Sequence, residues 1–450
     1  MKSITLTAAL GLSLGLLSGC NSDDNMTSLQ AVHASSDAPL ANVFINGQQR
    51  FSDIDYAEAS GFIEVNDGLN TIKVDVQLPA GQSVTVIDST QLSLSADIDY
   101  TVMVVGDADA SNNPVEALVV TRAAQGNASE TMLDVQLVHA ASGVGDVNIY
   151  VTPPGADLAI SSPIGPISYK DISSVLTLPS GEYQIRIQTT ADDAIAFDSG
   201  TVTLSPNTEL TIAAVKRTES DGSSPVQLMV MDGTRASTIY DKDEQAELRV
   251  GHLVDGAPNV DVYVNDVQFS PLDSLIFKQV RGFLDLDAAE YDLSVYVEGT
   301  SSSALIDANG VSLKAGKDYS VYAVGTSTPV ALEPLVVEES RRSVATSAVL
   351  NLTHGAASNV AAMVDIYLTT STGIDGSDPT VSDFAYKESI SGLYVEEGSY
   401  YVTITVANQP GVVAIDSAPV SVVNGSVYQI VAIDDGNNGG FNLLMSETTD

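Results

Sequence analysis

The residues of this chain best suited to chemistry are its four histidines, and each opens the same kind of phrase. They stand in AVHASSDAP at His33, LVHAASGVG at His139, VGHLVDGAP at His252 and LTHGAASNV at His354, spaced 106, 113 and 102 residues apart. An imidazole near its ordinary pKa serves as a general base or as a metal ligand. Either role needs a partner: a nucleophile, an orienting carboxylate or further ligands. The nearest carboxylates, Asp37 and Asp255, have no counterpart in the second and fourth phrases. A second recurring set, Asp88, Asp198, Asp307 and Asp416, lies in VIDSTQLSL, AFDSGTVTL, LIDANGVSL and AIDSAPVSV. These could meet the histidines only through the fold. The other role for each histidine is structural, as a ring that ends a strand and ties down the following turn. Recurrence favours that role, because copies of a fold must share architecture but need not share an active site. The aspartates likewise read as Asx turns at strand ends.

Two acidic loops raise Ca²⁺, the one cofactor the sequence suggests. GDADASNNPVE carries Asp107, Asp109, Asn113 and Glu116, and IDGSDPTVSD carries Asp375, Asp378 and Asp383. Neither has the EF-hand's glycine at position 6 and glutamate at position 12. No G-x-S-x-G, H-E-x-x-H or P-loop pattern occurs, so no catalytic residue is assigned. The single cysteine excludes an intrachain disulfide and a thiolate metal site. With 18 Lys and Arg against 58 Asp and Glu, the net charge of −40 repels nucleic-acid phosphates, so nucleic acid is not an expected partner.

That cysteine has a different meaning. The chain opens MKSITLTAALGLSLGLLSGC, with one lysine, an apolar stretch too short to span a bilayer comfortably, and Leu17-Ser18-Gly19 before Cys20. This is the pattern of a bacterial lipobox. It predicts a signal peptide over 1–19, lipidation of Cys20, and a polar tether over 20–28. Several acyl chains on one residue give stable anchoring. Asn21 rather than aspartate follows the cysteine, which leans toward the outer membrane over the inner. The expected setting is the cell envelope, with the membrane as one partner through the lipid and an envelope protein or polysaccharide as the other.

The elements that position the histidines repeat with them. A polar–aliphatic–aromatic triplet follows each: Asn42-Val43-Phe44, Asn148-Ile149-Tyr150, Asp261-Val262-Tyr263 and Asp365-Ile366-Tyr367. An aromatic with a polar tail comes next, at Tyr56, Tyr169, Phe277 and Tyr386, and then strands such as GEYQIRI and AEYDLSV. Twelve residues after the recurring aspartates stand Tyr100, Leu210, Tyr319 and Tyr428, inside apolar runs. The tyrosines read as core-edge aromatics whose hydroxyls bond to backbone, as in a tyrosine corner. The alternative is exposed rings that stack on sugar, which the absence of Trp makes less attractive.

Each copy shows about seven short strands with period-two alternation, punctuated by Gly, Asn, Asp and Pro. Seven strands in about 100 residues is the arithmetic of an Ig-like β-sandwich. The expected class is therefore all-β, as four tandem Ig-like sandwiches at 29–125, 133–236, 246–340 and 347–447. Each unit is large enough to own its core, which predicts beads on a string rather than a solenoid, with polar links at 126–131, 241–246 and 341–347 short enough to hold neighbouring domains semi-rigidly.

The phrase pattern, a histidine with a small-residue turn, then D/N-V-x-I/V-Y, an apolar strand and G-x-Y, resembles the DUF4397 family. The first and third copies match best, through HASSDAP and HLVDGAP, while HAASGVG and HGAASNV lack the turn aspartate and proline. The resemblance implies a β-sandwich and an exported location. It brings no catalytic residues. Three functions follow in order: a non-enzymatic surface lipoprotein acting as a binding, adhesion or scaffold array; a Ca²⁺ or small-ligand (carbohydrate) module; and a hydrolase using His with Asp.

Overall fold

The computed structural model describes residues 26–449 apart from 79–81, 110–111, 125, 219–221, 359–361 and 437–439. The segment expected to be a signal peptide, 1–19, and Cys20 lie outside the described residues. The described chain is all-β, with helical backbone confined to short 3₁₀ turns such as Leu158–Ile160 and Ser270–Leu272. Among the described residues no helix is long and apolar enough to cross a membrane.

The first copy has eight strands: β1 (Met26–His33), β2 (Ala41–Ile45), β3 (Gln48–Ile54), β4 (Ile63–Asn66), β5 (Gly68–Leu78), β6 (Gln82–Leu94), β7 (Ile98–Val105) and β8 (Glu116–Ala123). They form two four-stranded sheets, ordered β4-β1-β7-β8 and β3-β2-β5-β6. Tight turns join the hairpins. Asn46 and Gly47, both at positive φ, make the two-residue turn between β2 and β3. Strands β1 and β7 run parallel, with Leu29 opposite Tyr100 and His33 opposite Val104.

The same register recurs in every copy. Val135 faces Leu210, Leu248 faces Tyr319, and Leu350 faces Tyr428, while His139, His252 and His354 face Ala214, Ala323 and Ala432. The second and fourth copies have nine described strands and the third eight, so each copy exceeds the expected count of about seven, the first by one. The extra strand of the first copy is the short β4, whose IEVN borders the first sheet and carries too few residues to display its alternation.

Inward side chains of the two sheets fill each core. In the first copy Leu29, Ala31, Val43, Val74 and Val102 belong to one buried cluster, and each other copy has its own. The alternate positions of the first sheet are also apolar. Val32, Met103 and Val105 of the first copy share a buried cluster with Val138, Ala213 and Val215 of the second. Tyr322 and Val324 of the third share one with Val431 and Ile433 of the fourth.

The copies are therefore not beads on a string. They pack as two pairs, face to face through their first sheets. Burial of each large apolar side chain there stabilises the pair by ~1.5–3 kcal/mol.

The link at 341–347 also departs from the polar tether expected. Arg341 and Arg342 are buried, as are Val344 and Ser347. Arg341 pairs with Glu247 at 2.7 Å and Asp318 at 3.2 Å, and its guanidinium lies 4.2 Å over the Phe283 ring. Arg342 reaches the first copy, donating to the carbonyls of Ser36 (3.2 Å) and Ala38 (2.9 Å) and pairing with Asp55. Charges on a link are thus consumed by docking rather than by solvent.

Candidate functional site

Each histidine ends the first strand of its copy and is at most 1% exposed. Its backbone is locked first. His33 donates its N–H to the Glu58 carbonyl and accepts the Ala57 N–H. His139 does the same with Asp171 and Lys170, His252 with Gln279 and Lys278, and His354 with Glu388 and Lys387.

Those partners form one turn that the sequence displays as Tyr-Ala-Glu, Tyr-Lys-Asp, Phe-Lys-Gln and Tyr-Lys-Glu. The middle residue has positive φ: 61° at Ala57, 74° at Lys170, 71° at Lys278 and 70° at Lys387. Left-handed backbone at a residue with a Cβ costs about 1–2 kcal/mol. It is offset here by the hydrogen bond to the histidine carbonyl and by a second clasp. The third residue of the motif reaches back to a backbone N–H three places upstream, Glu58 to Asp55 (3.0 Å), Asp171 to Ser168 (2.9 Å), Gln279 to Ile276 (3.1 Å) and Glu388 to Ala385 (2.8 Å). The polar tail visible in the sequence is this clasp, a role that spacing alone did not reveal.

The imidazole then packs on the aromatic of the turn. Centroid separations are 6.5 Å to Tyr56, 6.3 Å to Tyr169, 6.3 Å to Phe277 and 6.2 Å to Tyr386, all steeply inclined. His33 Nε2 lies 2.9 Å from the Pro39 carbonyl, His139 Nε2 3.1 Å from that of Gly145, and His252 Nε2 3.0 Å from that of Pro258. A carbonyl only accepts, so Nε2 must carry the proton and donate. Nδ1 is then the lone-pair nitrogen, and it faces the N–H of Ser35 or Val254 at 3.4 Å.

Burial, aided by the Arg342 charge, lowers the His33 pKa to about 4, and burial lowers that of His252. These two rings are neutral near pH 7. In the first three copies each ring is bonded to the carbonyl six residues on and so closes the loop that leads into the second strand.

The other recurring residues are placed apart from the rings. Asp88, Asp198, Asp307 and Asp416 lie on the opposite sheet, and Asp88, Asp307 and Asp416 are exposed. Asp198 accepts from the Gly200 N–H at 2.9 Å, an Asx turn, and from Gln184 Nε2 at 2.7 Å. Asp307 instead accepts from Ser294 Oγ at 2.9 Å and Asp416 from Thr403 Oγ1 at 3.4 Å, both across strands. The Asx-turn expectation thus holds at Asp198 and gives way to cross-strand bonding at Asp307 and Asp416. β-Bulges beside the aspartates shift the register there.

Asp37 does not orient His33. Its carboxylate accepts the Ala108 and Asp109 N–H groups at 2.7 and 3.3 Å, and burial raises its pKa. Asp255 accepts the Gly436 N–H of the fourth copy at 3.0 Å.

The tyrosines make corners. Tyr100 Oη accepts the Ser95 N–H at 2.9 Å, Tyr319 that of Lys314 at 3.4 Å and Tyr428 that of Val423 at 3.3 Å, each five residues upstream. Leu210 fills the position in the second copy without the bond. A second set was not separated by sequence reasoning: Tyr183, Tyr291 and Tyr400 donate to the carbonyls of Pro179, Asp287 and Glu396, four residues upstream. In the first copy Asn70 takes that place, donating to the Asn66 carbonyl at 3.0 Å.

The acidic loops lie apart from each other. Asp107 accepts from Ser142 Oγ at 2.7 Å and faces Lys216 Nζ at 3.5 Å, both in the second copy. Asp109 donates its N–H to Asp37, and Asp375 and Asp378 are exposed in the loop following Thr369. Among the described residues no three His, Cys, Asp or Glu side chains converge as a metal cluster.

Fold and recurring residues together define a class: tandem β-sandwich domains, each closed by a buried histidine turn. The chain belongs to the DUF4397 family, described as a domain of unknown function, whose pattern matches residues 27–150, 134–242 and 246–367. No curated protein matches it. Solved structures with some likeness include the TIE protein of Bacillus anthracis, 12% identical over 90% of this chain and 68% of that one, with a TM-score of 0.14. A leucine-rich repeat protein from Bacteroides thetaiotaomicron is 12% identical over 42% and 25% of the two chains, with a TM-score of 0.12. The pneumococcal glycogen-degrading virulence factor SpuA is 11% identical over 63% and 38%, with a TM-score of 0.15. Scores this low say nothing of function.

Proposed function

We propose that the chain is a non-enzymatic lipoprotein, anchored in the envelope through Cys20, whose tandem sandwiches form a binding, adhesion or scaffold array. One observation carries the reading: the histidines that mark every copy are buried, and in three copies Nε2 is committed to a backbone carbonyl. A general base must offer a lone pair to a substrate, and a metal ligand must offer it to an ion. Here Nε2 is spent as a donor to the backbone, and burial of the ring withholds the lone pair of Nδ1 from a substrate or ion. The array's outward surface is strongly acidic, which suits a cationic or polar envelope partner over an anionic one.

The test is removal of copies by pairs, because deletion of one copy bares an apolar face of its neighbour. Envelope binding by residues 21–450 falls by degrees when 246–450 is deleted. The proposal fails if a chemical turnover is found that one histidine substitution abolishes while the melting temperature is unchanged.

A further inference from the structure

The two pairs are built through one and the same surface. Three and five residues after the corner position stand Met103 and Val105, Ala213 and Val215, Tyr322 and Val324, and Val431 and Ile433. All eight lie in the paired faces, and none is more than 2% exposed. The aromatics of the histidine turn, Tyr56 with Tyr169 and Phe277 with Tyr386, border the same two clusters. Equivalent positions from both partners meeting in one cluster is the mark of an isologous, twofold contact. Each pair is a dimer written into one chain.

The charges at the rim are not symmetric, and one ion pair is placed in the same sense in both pairs of copies. Glu116, opposite Val105 in its hairpin, holds Lys170 at 2.7 Å. Glu333, opposite Val324, holds Lys387 at 2.9 Å. The corresponding positions in the second and fourth copies are the neutral Gln227 and Asn442. At this contact the odd copies present the glutamate and the even copies the lysine, whereas the neighbouring ion pairs run in opposite senses, Asp107 of the first copy with Lys216 of the second and Lys278 of the third with Asp435 of the fourth.

Another feature alternates in step. Odd copies join their second and third strands by two residues at positive φ, Asn46-Gly47 and Asn265-Asp266. Even copies use longer loops, between Thr152 and Ile164 and between Thr369 and Val381. The repeating unit of the chain is two copies rather than one.

We infer that the outer face of the first sheet is a self-recognition surface whose partner is another copy of the same domain, and that an odd and an even copy hold together without their covalent link. The lysine–glutamate contact sets which copy takes which side. This inference is independent of what the array binds.

The experiment uses the soluble chain, residues 21–450, with a protease site placed within 126–131. Arg342→Gln is included to remove the side-chain contacts of the third link to the first copy, leaving the Ala345 N–H bond to the Asp37 carbonyl, which the Met103→Asp comparison controls for. After cleavage, the first copy co-elutes with the rest at micromolar concentration. With Met103→Asp added, the cleaved copy elutes alone, while the uncut variant keeps the wild-type β-sheet circular dichroism because Met103 lies outside its own copy's core. Glu116→Lys weakens reassociation roughly 1.4- to 5-fold, the range for an exposed ion pair, and Lys170→Glu in the same chain restores it. Separation of the wild-type face after cleavage overturns the inference, as does continued co-elution of the Met103→Asp variant or failure of the reversed pair to restore affinity.

Discussion

Replacing His33 with glutamine should flatten the acid limb of the stability of the first copy. The ring is fully buried and uncharged, and its pKa falls from 6.5 to about 4 by desolvation first and the Arg342 charge second, opposed by Asp55 and the Pro39 carbonyl. The unfolded chain therefore takes up the proton before the folded chain does. The contribution is whole above pH 6.5 and is lost as pH falls toward 4. At ~1.4 kcal/mol per pKa unit, about 2 kcal/mol of it is gone by pH 5 and about 3 kcal/mol by pH 4. Asp37 works in the opposite sense. Burial raises its pKa, so it stabilises on acidification, but it is present in both chains and cancels in the difference.

Urea unfolding at pH 7 and pH 5 measures the gap between wild type and His33→Gln. With only four histidines in the chain, the imidazole proton signals also report protonation directly. The wild type should lose about 2 kcal/mol more than the variant over that interval, and one imidazole should stay neutral at pH 5. Equal losses, or four rings titrating near 6.5, would refute the account of the buried turn.

Arg342→Gln removes both the carbonyl contacts to Ser36 and Ala38 and the charge beside His33, so the His33 signal should titrate at a higher pH and the link at 341–347 should become open to proteolysis. Tyr100→Phe strips the acceptor from the Ser95 N–H and should cost about 1 kcal/mol in chemical denaturation, whereas Leu210→Ala loses apolar burial alone. Cys20→Ser should shift the protein from the membrane to the soluble fraction of the envelope, with no fatty-acid label incorporated.

Much of the fold was legible because its devices are local. The histidine ends a strand, the aromatic turn returns to it, and the corner tyrosine bonds five residues upstream, so each leaves residues of fixed type at fixed spacing. The pairing of copies was legible only in a signal that alternation conceals. In Tyr100 to Val105 all six residues are buried and all but Thr101 are apolar, on both faces of the strand. Such a continuous run marks a strand covered on both sides, yet it blends with the core of its own copy. The docked link was not legible, because Arg341 and Arg342 look like solvated charges until Glu247, Asp318 and Asp55 are brought to them from sites far away in the chain. The roles of the aspartates were half legible: a carboxylate beside Ser or Ala suits an Asx turn, but bulges in the strand decide which donor it meets.

The central claim, an anchored array that binds rather than reacts, is tested most directly by envelope binding of residues 21–450 compared with residues 21–241, which carry the first pair alone. The account predicts saturable binding by the four-copy chain and weaker, still measurable binding by the pair, through the lost multivalency. Absence of binding by the four-copy chain would contradict it.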